Sequence, residues 1–131
     1  MTTADQAPVL AVDDSGSIRE MIATVLAGHG YRVVTAANGK EALMRLHAAA
    51  EPYIVLLDVV MPLLDGLAVL REINSDAHLS AMPHQIILMS STVRMSQPDI
   101  PATTGQLAKP FTRQRLLEVV AQAQQDAHAR H

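Results

Sequence analysis

Asp13, Asp14, Asp58 and Lys109 are spread along this 131-residue chain, yet each directly follows an apolar run. Val9–Val12 stops at Asp13-Asp14, the run 54–57 stops at Asp58, and 107–108 stops at Lys109. If these runs are parallel strands, all four charges meet at the strands' carboxyl ends, the edge where open α/β sheets carry their chemistry. Three carboxylates crowded together repel one another unless a cation sits between them. The pattern therefore predicts a divalent metal beside a lysine.

The elements that would position these groups alternate. Val9–Val12 reads as a buried strand, and 14–17 offers N-cap residues before Ile18, Met21, Ile22, Val25 and Leu26 on one helical face. Gly28 and Gly30 end that helix, and 31–35 supplies a second strand. Asn38-Gly39-Lys40-Glu41 resembles a capping box that opens a helix through Leu43, Met44, Leu46 and His47. Glu51-Pro52 breaks it before a continuous apolar strand, 53–57. A loop with Met61-Pro62 leads through Asp65-Gly66 to a helix bearing Leu67, Leu70 and Ile73. Strand 86–89 runs into Ser90-Ser91-Thr92, and 107–108 is a short fifth strand. Thr112 caps a last helix whose inner face is Leu116, Leu117, Val119 and Val120. Such alternation predicts a parallel sheet with helices on both faces. In 92–105, Pro98, Pro101 and the run Thr103-Thr104-Gly105 interrupt any helical pattern, so a loop or a single turn is expected there.

Composition narrows the function classes. The length suits one domain with a substantial core. Apolar residues make up 49% but aromatics only 2%, so the core is Val, Leu, Ile, Met and Ala, the usual filling of a helix-covered parallel sheet. A net charge of −3 with scattered basic residues argues against a nucleic-acid groove. The lack of cysteine excludes disulfides, thiolate catalysis and cysteine zinc sites. No apolar run approaches the roughly 20 residues of a membrane span, and residues 1–8 lack the basic and hydrophobic regions of a signal peptide. A cytoplasmic protein is expected, with a lead over 1–8, one domain over 9–131, and no contact with membrane or nucleic acid.

Four pieces, in order, carry a resemblance: Val12-Asp13-Asp14, the stretch 56–66 around Asp58, Leu88-Met89-Ser90-Ser91, and Ala108-Lys109-Pro110-Phe111. From Val9 to about His128 the chain resembles the receiver domain of two-component response regulators, in particular single-domain regulators of the chemotaxis kind. The resemblance implies a flavodoxin-like, doubly wound sheet of five parallel strands in the order 2-1-3-4-5. It implies that Asp58 is the phosphoryl acceptor, its carboxylate attacking phosphorus to give an acyl phosphate. Asp13, Asp14 and Asp58 would hold Mg²⁺, Asp14 directly and Asp13 through water, with the Val60 backbone carbonyl as a further ligand. Ser90 takes the place of a hydroxyl that bonds the phosphoryl group. Lys109 takes that of a lysine reaching the same phosphate, aimed in this family by a frequently cis bond before Pro110. The competing structural readings are a helix N-cap for Asp13 or Asp14, a turn cap for Asp58, a polar strand end for Ser90 and a solvated lysine for Lys109.

The chain departs from the family pattern twice. Gln106 stands where receivers usually carry an aromatic or histidine, and the span from Ser90 to Lys109 is shorter than the norm by roughly a helical turn. The family's fourth helix is thus expected to be degraded or replaced by a loop, with signalling through rearrangement of 92–105 in place of side-chain rotation. The expected function is that of a signalling phosphoacceptor, not an enzyme beyond its own phosphorylation and dephosphorylation. A histidine kinase or histidine phosphotransfer protein would donate the phosphoryl group, and the altered surface would bind a downstream protein. Because nothing follows the last predicted helix, output through protein contacts is expected in place of a DNA-binding domain. Two alternatives stand. A non-phosphorylated pseudo-receiver would suit Gln106 but leaves the intact acidic set and Lys109 without purpose. A Mg²⁺-dependent phosphohydrolase of the haloacid-dehalogenase type needs a second Asp two residues after the nucleophile, where this chain has Val60.

Overall fold

A computed structural model describes residues 6–61, 64–91 and 105–129. The expected loop or turn over 92–104, and with it the reading of a replaced fourth helix, lies outside the described residues. The chain runs β1 (Val9–Val12), α1 (Gly16–Ala27), β2 (Val33–Ala36), α2 (Gly39–His47), β3 (Ile54–Asp58), α3 (Gly66–Ser75), α4 (Ala77–Ala81), β4 (Gln85–Ser90), β5 (Gly105–Ala108) and α5 (Arg113–Ala129). The five strands form one parallel sheet in the order β2-β1-β3-β4-β5, as the family resemblance implied.

The central strands are apolar at nearly every position because both of their faces are covered. Leu10, Val12, Val55, Leu57 and Leu88 pack with Leu46, Val69, Leu70 and Leu79 from α2, α3 and α4. Val9, Ala11, Ile54, Leu56 and Met89 pack on the other face with Ile22, Leu26, Leu116 and Val120 from α1 and α5. These side chains are almost wholly withdrawn from water; burying each Val, Leu, Ile or Met among them contributes about 1.5–3 kcal/mol. The ladder sets Val12 beside Leu57, Asp58 beside Met89, and Ser90 beside Ala108. The strands therefore end together, and the residues after them share one edge. Among the described residues no helix is long and apolar enough to cross a membrane.

Several boundaries differ from those expected. β2 begins at Val33, not at Tyr31, because the Tyr31 amide still donates to the Leu26 carbonyl of α1 and Gly30 turns at φ 86°. Gly105, expected in a loop, is the first residue of β5 and pairs with Ile87. The short helix α4 was not foreseen. Asp76 caps it, its Oδ1 accepting from the His78 and Leu79 amides at 2.9 Å, and Leu79 anchors it in the core. The lead also joins the domain through Ala7. Its amide donates to Gln124 Oε1 at 2.8 Å, and its carbonyl accepts from Gln124 Nε2 at 2.7 Å.

His84 fastens the opposite edge of the sheet. Its Nδ1 accepts the Tyr53 amide at 2.9 Å, which requires the neutral ring with the proton on Nε2. Burial, and secondarily the nearby His78, holds the His84 pKa below its ordinary 6.5. The folded state thus binds this proton more weakly than the unfolded chain. The contribution to stability is complete above about pH 6.5 and declines as the pH falls toward the lowered folded value. In urea unfolding at pH 7.5, 6.5 and 5.5, His84→Gln, which keeps an oxygen for the Tyr53 amide, should lose less stability on acidification than wild type. Parallel losses in the two proteins would show that His84 is not the titrating group.

Candidate functional site

Asp13 follows β1 and Asp58 ends β3, so the parallel pairing of these strands places the two carboxylates side by side. Both are buried, at 1% and 4% exposure, whereas Asp14 is exposed. One oxygen from each of Asp13, Asp14 and Asp58 lies within 4.8 Å of the others. Lys109 reaches them from β5. Its amide donates to the Ser90 carbonyl at 2.8 Å, which continues the ladder past β4. Its Nζ then lies 2.7 Å from Asp13 Oδ2 and 3.3 Å from Asp58 Oδ1. The Lys109-Pro110 bond is cis. Ser90 is buried at the same edge, and Gln106 is exposed on β5.

The electrostatics are unbalanced. Burial first, and then the negative charge of Asp13, pushes the Asp58 pKa up, against the opposing pull of Lys109. Burial alone would lower the pKa of Lys109, but its bonds and attraction to Asp13 and Asp58 outweigh that and hold it above the ordinary lysine value. Among the described residues, the Lys109 ammonium contacts two of the three clustered carboxylates, Asp13 and Asp58. The donor set contains oxygen alone, and all of it is acidic, which fits a hard divalent cation such as Mg²⁺ better than a metal that prefers imidazole or thiolate.

The local backbone explains how these groups are held. Asp13 Oδ1 accepts the Ser15 amide at 2.9 Å, and Ser15 supplies the N-cap of α1 by accepting from the Ile18 amide. With the cap provided by Ser15, Asp14 is left for other work. Arg19, which sequence reasoning did not single out, donates from Nη1 to the Asp13 carbonyl at 2.7 Å. The Val60 amide lies 3.4 Å from Asp58 Oδ1, and the Val60 side chain is 71% exposed. Asp65-Gly66 has the structural role expected of it: Asp65 caps α3 by accepting from the Ala68 amide at 2.9 Å. The Gly66 amide donates to the Val59 carbonyl at 2.9 Å. A Cβ on Gly66 would overlap the Asp58 carbonyl oxygen and stand 2.8 Å from Val59 Cα. Only glycine lets α3 start against the backbone of Asp58 and Val59. Gly66→Ala should therefore cost about 1–3 kcal/mol in urea unfolding and shift the backbone NMR resonances of Asp58 and Val59. Unchanged stability and unchanged resonances would contradict this.

Comparison with known proteins agrees with the geometry. The family model of the response regulator receiver domain matches residues 9–121. Protein PilG of Pseudomonas aeruginosa is 31% identical over 120 residues, covering 89% of this chain and 87% of that protein. Chemotaxis response regulator CheY4 of Vibrio cholerae superposes with a TM-score of 0.75 at 32% identity, over 89% of this chain and 98% of that one. Response regulator TrrA of Thermotoga maritima, solved in complex with Mg²⁺-BeF, gives a TM-score of 0.75 at 32% identity, over 88% and 97% of the two chains. By contrast, the match to the probable transcriptional regulator ycf27 of Guillardia theta, 49% identical over 53% of this chain, spans only 27% of that relative's length.

Proposed function

We propose that this chain, which belongs to the response regulator receiver domain family, accepts a phosphoryl group on Asp58 and relays the signal through protein contacts. The observation that carries this reading is the reach of Lys109 across the strand ends to both Asp13 and Asp58. A buried carboxylate with a raised pKa, set against one lysine and two further carboxylates, is a charge arrangement that a phosphoryl group and its metal would complete.

In the proposed reaction an Asp58 oxygen attacks the phosphorus of a phosphohistidine on a histidine kinase or phosphotransfer protein. The P–O bond forms, the P–N bond breaks, and the imidazole leaves. The contacts of Lys109 and Val60 fall on Oδ1, so Oδ2 is the oxygen those two donors leave to attack. Lys109 turns from the carboxylates toward the phosphoryl oxygens as a point charge, and the Ser90 hydroxyl donates a hydrogen bond to one of them. Asp14, Asp58 and the Val60 carbonyl would hold Mg²⁺ directly and Asp13 through water, supplying positive charge opposite the phosphoryl oxygens. Both Asp13 oxygens already accept hydrogen bonds, from Ser15 and Lys109, which supports the water-mediated role. TrrA, whose structure holds Mg²⁺-BeF, supports the same choice of metal.

Val60 supports signalling over turnover of external phosphoesters, because its exposed apolar side chain offers no acid or base where a phosphohydrolase would need one. We take residues 9–131 as the receiver unit and place this chemistry in the cytoplasm. The output is proposed to be a surface change read by a downstream protein, without direct contact with nucleic acid or membrane.

Intact mass spectrometry after incubation with acetyl phosphate and Mg²⁺ tests the proposal. Wild type should gain one phosphoryl group, and Asp58→Asn or wild type in EDTA should gain none. If wild type stays unmodified even with a phosphorylated histidine kinase, the phosphoacceptor reading fails and a pseudo-receiver binding module replaces it.

A further inference from the structure

We infer that Arg19 is a positioning residue for the metal-binding edge, an inference that rests on the reading of Asp13, Asp14 and Asp58 as Mg²⁺ ligands. Asp13 is held at every polar group it has. Its amide donates to the Ala36 carbonyl at 3.2 Å, Oδ1 accepts from Ser15 at 2.9 Å, and Oδ2 accepts from Lys109 at 2.7 Å. The remaining group is the carbonyl, which accepts from Arg19 Nη1 at 2.7 Å. That carbonyl belongs to the peptide joining Asp13 to Asp14, and fixing the peptide plane fixes the direction in which the Asp14 Cα leaves it.

The choice of acceptor matters. An arginine bonded to the carboxylates themselves would be a bidentate competitor for the metal. Here the guanidinium folds back over the first turn of α1, its Nη2 3.5 Å from where a Cβ on Gly16 would stand, and donates to the backbone. It adds positive charge beside the acidic cluster and braces Asp14 without occupying a carboxylate oxygen of Asp13 or Asp58. Arg19 is partly buried and is not among the residues that build either apolar core layer. Asp14, the exposed carboxylate of the three, gains most from such a brace. Ligand-orienting groups of this kind typically change metal affinity 10–100-fold when removed.

The test is a ¹⁵N NMR titration with MgCl₂ and no phosphodonor, on wild type, Arg19→Gln and Arg19→Lys. We expect Arg19→Gln to weaken the Mg²⁺ Kd by roughly tenfold and Arg19→Lys, which keeps a charged donor, to recover part of the loss. A contribution to folding alone would lower urea stability in EDTA and leave Kd unchanged; that result overturns the inference while the phosphoacceptor reading stands. If wild type shows no Mg²⁺-dependent shifts at Asp13, Asp14 or Asp58, the metal reading fails and the inference falls with it. A measurement on wild type covers the case of an unfolded variant. The Arg19 Nη resonances should be resolved by restrained rotation, and fully averaged Nη resonances would overturn the brace.

Discussion

One ammonium group held between two buried carboxylates, with a third carboxylate close by, is the constraint on which the rest of this structure turns. Lys109 Nζ touches Asp13 and Asp58 at 2.7 and 3.3 Å, and both acids are withdrawn from water. Bringing such charges together is costly, because burial disfavours the ionised forms and like charges repel. It is sustained by the sheet: the parallel register of β1, β3, β4 and β5 ends these strands at a common edge, with the apolar layers on both faces holding the ladder in place. The stability of the core is thus used to hold a charge arrangement that would not assemble alone.

Each neighbouring feature serves the same arrangement. The smallness of Gly66 lets α3 begin against the Asp58 carbonyl, so Asp58 is backed by a helix and not by loose chain. Ser15 takes over the capping of α1, which removes the ordinary structural reason for an aspartate pair. Lys109 hangs on the Ser90 carbonyl, which links the end of β4 to the ammonium beside Asp58. A change of charge at Asp58 would therefore be felt first by Lys109, and then by the ends of β4 and β5 that carry it. This is a short path of direct contacts between the acidic cluster and the sheet edge.

Much of this was legible in the sequence, for physical reasons that also explain what was not. Apolar runs ending in charge marked β1 and β3 because a strand buried on both faces leaves no other signal. The strand order came from the family resemblance and matches the observed ladder. α4 escaped notice because five residues with a single apolar anchor, Leu79, show no period. The start of β5 is hidden because Gly105 and Gln106 carry no strand signature at a sheet edge, where only Leu107 is buried. Arg19 was invisible because an arginine that bonds a backbone carbonyl pairs with no particular residue type. The acidic set, in contrast, was readable as a set, since charges that recur at the ends of buried parallel strands converge on one edge.

The most direct test of the charge argument is urea unfolding of wild type and Asp58→Asn, each in EDTA and in saturating Mg²⁺. If three carboxylates with one lysine are the governing constraint, Asp58→Asn is the more stable protein in EDTA, because it removes a charge that burial and Asp13 both disfavour. Wild type should then gain more stability from Mg²⁺ than the variant gains. Wild type that is the more stable protein in EDTA and indifferent to Mg²⁺ would contradict the account, because Lys109 alone would then suffice to balance the site.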